Sequence, residues 1–157
     1  MSLLPLFQWM ASLPYFEETW GTYVGPGVNV VHLLGMVVFF GALLIVDLRL
    51  LGGILTRHPV APIARDAQPW LIGGFLTLWL TGIPALMATA LGQYYNPVFR
   101  FKMYVLLAGT IFTFTIRHKV ARADEARVGP IWPKVVGLVS IALWCTVAVS
   151  ARLIMLL

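Results

Sequence analysis

The chain has 157 residues, of which 60% are hydrophobic and 11% are charged, and its mean hydropathy is +0.88. A soluble domain is excluded, because the apolar residues form four long stretches and too few polar residues remain to cover them. The net charge of +5 does not indicate nucleic-acid binding, because the cations cluster in two connections between the stretches. These are Arg49, Arg57 and Arg65 in the first connection, and Arg117, Lys119, Arg122, Arg127 and Lys134 in the second.

An aromatic and apolar segment, residues 1–24, opens the chain. Its prolines and the acidic pair Glu17 and Glu18 indicate a helix that lies on the membrane surface. Four spans follow, each long enough to cross a hydrocarbon core of about 30 Å. The sequence therefore predicts an all-α fold, in which a four-helix up-down bundle with an N-terminal interfacial helix forms a single transmembrane domain. The predicted spans are approximately residues 28–51, 70–91, 101–117 and 135–157.

The second span carries three local signals. Pro69 is predicted to lie in the first helical turn, where a missing backbone N–H is tolerated. Gly73 and Gly74 predict a close approach to a neighbouring helix, and Pro84 predicts a kink.

The two basic connections predict the orientation of the bundle. Lys and Arg accumulate in cytoplasmic loops, next to anionic lipid headgroups. We therefore expect a multi-pass protein of the bacterial inner membrane, with cytoplasmic basic loops and both termini in the periplasm.

Three cationic or titratable side chains are predicted at one level near the outer surface. They are His32 in the first span, Lys102 in the third and Arg152 in the fourth. Ionisable residues are rare at membrane depth and mark functional sites. We expect these three to surround one pocket in the outer leaflet.

Haem b is the leading cofactor for such a pocket. His32 is predicted as an axial ligand, with Lys102 and Arg152 neutralising the propionates or binding an anionic substrate. His118 lies near the opposite face, more than ~20 Å away in an up-down bundle, so the two histidines cannot ligate one haem. His118 is predicted either as a second ligand at the inner level, where His58 is a candidate partner, or as a proton relay.

Copper is the alternative metal. Imidazole and thioether groups suit Cu(I), and Met36 lies one turn from His32 while Met103 is adjacent to Lys102. Cys145 is the single cysteine and belongs to no covalent haem-attachment motif.

Asp47 lies near the cytoplasmic end of the first span, where an unpaired carboxylate is unfavourable. Arg49 lies on a different helical face, so Arg117, His118 or the next loop provides the nearer partner. The prediction is a salt bridge that joins the first and third helices.

Nearly the whole chain resembles an uncharacterised family of small bacterial inner-membrane proteins. The resemblance rests on VVHLLGMVVFFGALLIVDLRLLG, PWLIGGFLTLWLTG and YYNPVFRFKMYVLLAGTIFTFTIRH. More distantly, the plan is similar to four-helix CopD-like and HemJ-like membrane proteins, through His32, Gly41, Lys102 and His118. A HemJ-like relative implies haem b and protoporphyrinogen oxidation, with His32 and Lys102 carried over. A CopD-like relative implies copper handling.

The leading functional prediction is a haem b-binding electron-transfer protein in the lipid bilayer. Its expected partners are quinol in the membrane and a periplasmic redox protein or a larger membrane complex. The alternatives are copper handling or transport, a protoporphyrinogen-oxidase-like enzyme, and a non-catalytic accessory subunit. No nucleic acid is expected as a partner.

Overall fold

The structure is a computed structural model that describes residues 3–13, 20–123 and 128–154. Within these residues every regular element is helical. The α-helices are α1 (Leu4–Ala11), α2 (Gly25–Leu51), α3 (Val60–Ala88), α4 (Ala90–Tyr95), α5 (Pro97–Phe112), α6 (His118–Arg122) and α7 (Trp132–Leu153).

Four helices are long and apolar enough to cross a membrane, namely Gly25–Leu51, Val60–Ala88, Pro97–Arg122 and Trp132–Leu153. The third consists of α5 and α6, joined without a break by the π-helical turn Thr113–Arg117. Short connections make successive membrane-spanning helices antiparallel. The first and third spanning helices, α2 and α5–α6, therefore run in the same direction. The predicted all-α four-helix architecture is confirmed.

Two helix ends follow directly from local sequence. Helix α2 ends where Gly52 adopts a left-handed φ of +79°, and the Gly52 and Gly53 N–H groups donate to the carbonyls of Arg49 and Leu48. Helix α5 begins at Pro97, and the Asn96 side chain accepts hydrogen bonds from the first free backbone N–H groups. These caps separate the spans from their connections.

The start of the second spanning helix differs from the prediction. Helix α3 begins at Val60 rather than at residue 70, so Pro69 lies inside the helix and its predicted place in the first turn is wrong. A proline in the interior removes one backbone hydrogen bond, which neighbouring groups in a bundle can compensate. The helix ends at Ala88, and the chain resumes as the short helix α4 at Ala90.

Glycines bring α2 and α3 together, as the sequence predicted for Gly74. A Cβ built on Gly74 would lie 2.6 Å from the Phe39 backbone nitrogen, and one on Gly35 would lie 2.8 Å from Thr77 Cγ2. Gly73 has no such neighbour within 4 Å. Such small residues let helix backbones approach in a membrane, where the hydrophobic effect does not drive helices together.

The ends of the bundle have different surroundings. We call the end where α2 and α6 finish the basic end, and the end where α2 and α5 begin the His32 end. Helix α1 packs at the His32 end, where Phe7 is buried against Tyr94 and Phe99. In the middle, Phe39, Leu43 and Trp144 form the core.

Candidate functional site

A cavity of about 170 Å³ lies between α2, α3, α5 and α7, in the half of the bundle nearest the His32 end. We call it the His32 cavity. Its walls are largely apolar and aromatic, with Phe75, Trp79 and Trp144 among them. His32 from α2 and Lys102 from α5 both line it. Two of the three residues predicted to surround one pocket therefore do so, and Arg152 does not.

The direction of the helices explains this meeting. His32 lies about two turns after the start of α2, and Lys102 lies between one and two turns after the start of α5. Because both helices begin at the same end and run in the same direction, the two side chains reach the same level.

One side of the cavity is open. On this side α3 and α5 make few direct contacts. The third spanning helix contacts α3 mainly through α6, which lies at the basic end. Trp79 from α3 and Met103 from α5 both line the cavity and are 42% and 36% exposed. We infer from the sparse contact and this exposure that the cavity opens to the outside of the bundle between α3 and α5, and we call this opening the crevice.

The Thr81 hydroxyl on α3 contacts the His32 ring, and the Thr77 carbonyl oxygen in turn contacts that hydroxyl. His32 Nδ1 lies 2.6 Å from Thr81 Oγ1, and the Thr81 hydroxyl donates to the Thr77 carbonyl oxygen at 2.6 Å. A hydroxyl has one hydrogen, so when Thr81 donates it to the Thr77 carbonyl oxygen, Thr81 accepts from His32 Nδ1–H. The other ring nitrogen, Nε2, consequently keeps its lone pair in the neutral imidazole. Such a nitrogen can ligate a metal or accept a proton.

Lys102 has no acidic partner in the described part of the chain. Its ammonium forms no hydrogen bond or salt bridge with a described side chain, although it is half-buried in an apolar wall. A cation in such surroundings is unfavourable unless an anion accompanies it. The His32 cavity is therefore suited to a ligand that carries a negative charge beside an apolar body.

The remaining predicted site residues lie elsewhere. Arg152 is exposed on α7, next to the lining residue Ala151, and is not itself part of the cavity wall. His118 lies 16 residues beyond Lys102 on a continuous helix, which is a rise of about 24 Å. The predicted separation of the two histidines is confirmed. The described residues contain no group of three His, Cys, Asp or Glu that could hold a metal.

Sulfur atoms do accompany His32, however. Met36 and Met103 line the same cavity. Cys145 is exposed on α7 and does not line it.

The predicted partner of Asp47 is confirmed as Arg117. Arg117 Nε–H donates to Asp47 Oδ1 at 2.6 Å, and an Arg117 Nη2–H donates to the Leu43 carbonyl oxygen at 3.0 Å. Both side chains are buried, with 0% of Asp47 and 4% of Arg117 exposed. The pair joins α2 to the π-helical turn and lies outside the His32 cavity, so it acts as a structural connection.

Two features of the site were not found from the sequence. One is Thr81, whose only signal was a hydroxyl in an otherwise apolar span. The other is the hydrogen bond that Trp144 Nε1–H donates to Thr113 Oγ1 at 2.9 Å. Trp144 lines the cavity, and Thr113 opens the π-helical turn that carries Arg117. This bond therefore joins the cavity wall to the salt bridge.

Comparison with known proteins gives one match. No curated protein and no solved structure matches the chain. A protein-family model described as a family of unknown function, DUF6644, matches residues 6–156. This match covers nearly the whole chain, including all four spanning helices, and the chain therefore belongs to the DUF6644 family.

Proposed function

We propose that the protein is a multi-pass membrane redox protein that binds haem b in the His32 cavity. The observation that supports this most is the hydrogen bond between His32 Nδ1–H and Thr81 Oγ1, because it leaves Nε2 as the ligating nitrogen. Histidines that bind metals usually donate their other N–H in this way. When bound, a haem supplies one-electron transfer.

The other lining residues fit the same group. Lys102 provides a cation for a propionate, and the rings of Trp79 and Trp144 provide apolar walls that exclude water. Gly82 lines the cavity beside His32, where a Cβ would meet His32 Cε1 at 3.7 Å, an ordinary van der Waals distance. The His32 cavity is close in size to an engineered cavity of about 150 Å³ that holds one benzene molecule. The haem macrocycle is larger than benzene, so it would also have to occupy the crevice between α3 and α5.

The crevice also supports a lipid-soluble partner. A quinol would reach the cavity edge from the bilayer, without leaving the membrane. In the proposed orientation the His32 cavity lies in the periplasmic half of a bacterial inner membrane, where a periplasmic redox protein would accept the electron.

The orientation is tested by labelling single cysteines on whole cells, in a Cys145→Ser background. Ser12→Cys, at the His32 end, should react with a membrane-impermeant maleimide, and Arg57→Cys, at the basic end, should react only after lysis. The reverse pattern would place the His32 cavity on the cytoplasmic side.

Copper handling is the second candidate, favoured by Met36 and Met103 in the wall that holds His32. Imidazole with thioethers suits Cu(I). Protoporphyrinogen oxidation, implied by the HemJ-like resemblance, stays a prediction. An accessory role also stays a prediction, and the open surface beside Gly73 would suit it.

An absorption spectrum with parallel iron and copper analysis tests the proposal. The full-length protein, produced with an adequate haem supply, should show a Soret band that shifts on reduction. His32→Ala should lose the band and the iron of the His32 cavity, whereas His118→Ala, at the basic end, should leave that band in place. A separate loss of iron in His118→Ala would support the second ligand predicted at the inner level. Helical content from circular dichroism verifies that both variants fold. Copper without iron would favour the second candidate. A folded protein that shows no Soret band and contains neither iron nor copper would refute both.

A further inference from the structure

The wall of the His32 cavity is joined to the Asp47–Arg117 salt bridge by a buried route. Trp144 lines the cavity from α7, and its Nε1–H donates to Thr113 Oγ1 at 2.9 Å. Thr113 is the first residue of the π-helical turn, and Arg117, which binds Asp47, is the last. All four side chains are buried. The hydrogen bond and the salt bridge therefore hold opposite ends of one turn.

The π-helical turn decides which residues of the third spanning helix face the core. After its first turn, the buried residues of that helix are spaced four apart, namely Gly109, Thr113, Arg117 and Ala121. In an α-helix, with 3.6 residues per turn, such a row moves about 40° round the axis at each step. The π-helical turn delays this rotation, because the His118 N–H donates to the Thr113 carbonyl oxygen, five residues earlier. The turn thus keeps the row on the inner side.

A regular α-helix is the alternative to the π-helical turn. The π-helical turn accommodates one residue more than an α-helical turn does. Conversion to an α-helix would shift α6 by one residue, which is a rotation of about 100°, and would separate Arg117 from Asp47. The hydrogen bond from Trp144 restrains Thr113 at the start of the turn, and the salt bridge restrains Arg117 at its end. Loss of one restraint therefore makes loss of the other more favourable.

The Trp144 ring has packed neighbours on two helices and the His32 cavity beside it. Its centroid lies 4.5 Å from that of the Phe39 ring on α2. A Cβ built on Gly109 of α5 would lie 3.5 Å from Trp144 Cε2. A buried indole N–H needs a hydrogen-bond partner, so a ring that loses Thr113 is favoured to move, and the cavity is the space beside it. A ligand that fills the cavity would instead hold the ring against Thr113.

We propose that Thr113 and Trp144 couple ligand binding in the His32 cavity to the Asp47–Arg117 salt bridge, through the π-helical turn. A ligand in the cavity stabilises the salt bridge, and the intact salt bridge strengthens ligand binding, since coupling between two sites is reciprocal. Thr113 acts on the cavity through Trp144 and is a positioning residue. The effect on ligand binding rests on the function proposed above, whereas the coupling itself is a property of the ligand-free protein.

Two N–H groups report on the two ends of the turn. Trp144 Nε1–H and Arg117 Nε–H give separate nitrogen-15 NMR signals, and their hydrogen exchange is measured in the full-length protein in lipid nanodiscs. Thr113→Val removes the acceptor of the indole N–H and should accelerate exchange of Arg117 Nε–H at least about fivefold, the lower end of the usual coupling between sites. Thr115→Val is the matched control, because Thr115 lies in the same turn but is exposed, and its hydroxyl donates to the Ile111 carbonyl oxygen.

Asp47→Asn tests the coupling in the other direction. It removes the charge of the carboxylate at nearly constant size and should accelerate exchange of Trp144 Nε1–H by a similar factor. The backbone N–H of Leu71, a buried residue of α3, is the reference for overall opening. Thr113→Ser keeps the hydroxyl and should retain the original exchange rate of Arg117 Nε–H. If Thr113→Val does not fold, Trp144→Phe removes the indole N–H but keeps an aromatic ring, and should have the same effect.

Zinc protoporphyrin, a diamagnetic stand-in for haem, tests the effect of a ligand. When it binds, it should slow exchange of Arg117 Nε–H in the unmodified protein and have no such effect in Thr113→Val. Absence of binding, seen as an unchanged porphyrin spectrum, would contradict the proposed function, and the ligand-free measurements would still decide the coupling.

Three results would overturn the proposal. The first is equal exchange of Arg117 Nε–H in Thr113→Val and Thr115→Val. The second is acceleration of Trp144 Nε1–H exchange in Asp47→Asn by no more than that of the reference N–H, which would indicate general loosening of the fold. The third is binding of zinc protoporphyrin that leaves the exchange of Arg117 Nε–H unchanged.

Discussion

The bundle contains two sets of ionisable residues at comparable positions on the same two helices. Asp47 and Arg117 join α2 to the third spanning helix near the basic end, where Arg117 Nε lies 2.6 Å from Asp47 Oδ1 and the two charges neutralise each other, although Asp47 Oδ2 is buried without a hydrogen-bond partner. His32 and Lys102 lie on the same helices at the other end and line one cavity, but both are basic and neither neutralises the other. The first pair completes the fold, whereas the second leaves an unused lone pair and an unbalanced charge in a cavity. We infer that a charge without a counter-charge beside a cavity, as at Lys102, indicates a functional site better than an unpaired polar atom such as Asp47 Oδ2 does.

The largest effect is expected from breaking the Asp47–Arg117 salt bridge. Asp47→Ala leaves Arg117 buried without its carboxylate, which should reduce the free energy of unfolding by about 3–5 kcal/mol. Unfolding in mixed micelles measures the change. The double variant Asp47→Ala with Arg117→Met removes both charges and should recover much of the loss. A loss below about 1 kcal/mol in the single variant would contradict a structural role for the pair.

A smaller effect is expected where α2 meets α3, the contact that holds Thr81 against His32. Gly74→Ala places a methyl group 2.6 Å from the Phe39 backbone nitrogen, and overpacking of this kind destabilises by about 1–3 kcal/mol. Gly73→Ala, one residue away, meets nothing within 4 Å and should be neutral or slightly stabilising. Thermal unfolding of the two variants provides the measurement. Equal behaviour would mean that the close approach at Gly74 is not required.

Thr81 offers a way to alter the His32 end alone. Thr81→Val removes the acceptor for His32 Nδ1–H, which should lower stability by about 1 kcal/mol and loosen a bound metal by about 10–100-fold. Thr81→Ser keeps the hydroxyl and should retain the original binding. Nitrogen-15 NMR of the imidazole reports the tautomer independently of any ligand. If Nδ1 proves unprotonated in the neutral ring of the unmodified protein, the role of Thr81 is wrong.

The smallest expected effect has the opposite sign. Lys102→Met replaces an unpaired, half-buried cation by an apolar chain of similar length, which should stabilise the ligand-free protein by up to about 1 kcal/mol. The same change should weaken binding of an anionic ligand in the His32 cavity. Thermal unfolding with and without added haem separates the two effects. Destabilisation of the ligand-free protein would show that Lys102 has a partner and that the contrast between the two ends is mistaken.

Part of this organisation was accessible from the amino-acid sequence. The salt bridge followed from two facts: a carboxylate near the membrane edge needs a cation, and Arg117 reaches the level of Asp47 from the parallel helix. The shared level of His32 and Lys102 followed from the same reasoning. Arg152 satisfied this reasoning too and yet lies outside the cavity wall, because level along the bundle does not specify the direction in which a side chain points.

The beginning of α3 shows why local signals fail. The sequence at Pro69 predicts a first-turn residue, because prolines are favoured there. In the structure the helix extends back to Val60, and residues such as Val60 and Ala64 are buried against the ends of neighbouring helices. The burial of these residues stabilises the additional helical turns at the start of α3, which hydropathy alone does not indicate.

Sequence alone determined the class of this protein: four apolar spans, their alternating direction, and the need of each ionisable group at depth for a partner. These properties depend on transfer free energies and helix length, which are local or additive along the chain. Only the tertiary structure decided that Thr81 accepts from His32, that Trp144 joins the cavity to the π-helical turn, and that the cavity opens between α3 and α5. Those contacts depend on helix rotation and separation, which are set by the simultaneous packing of residues distant in the chain.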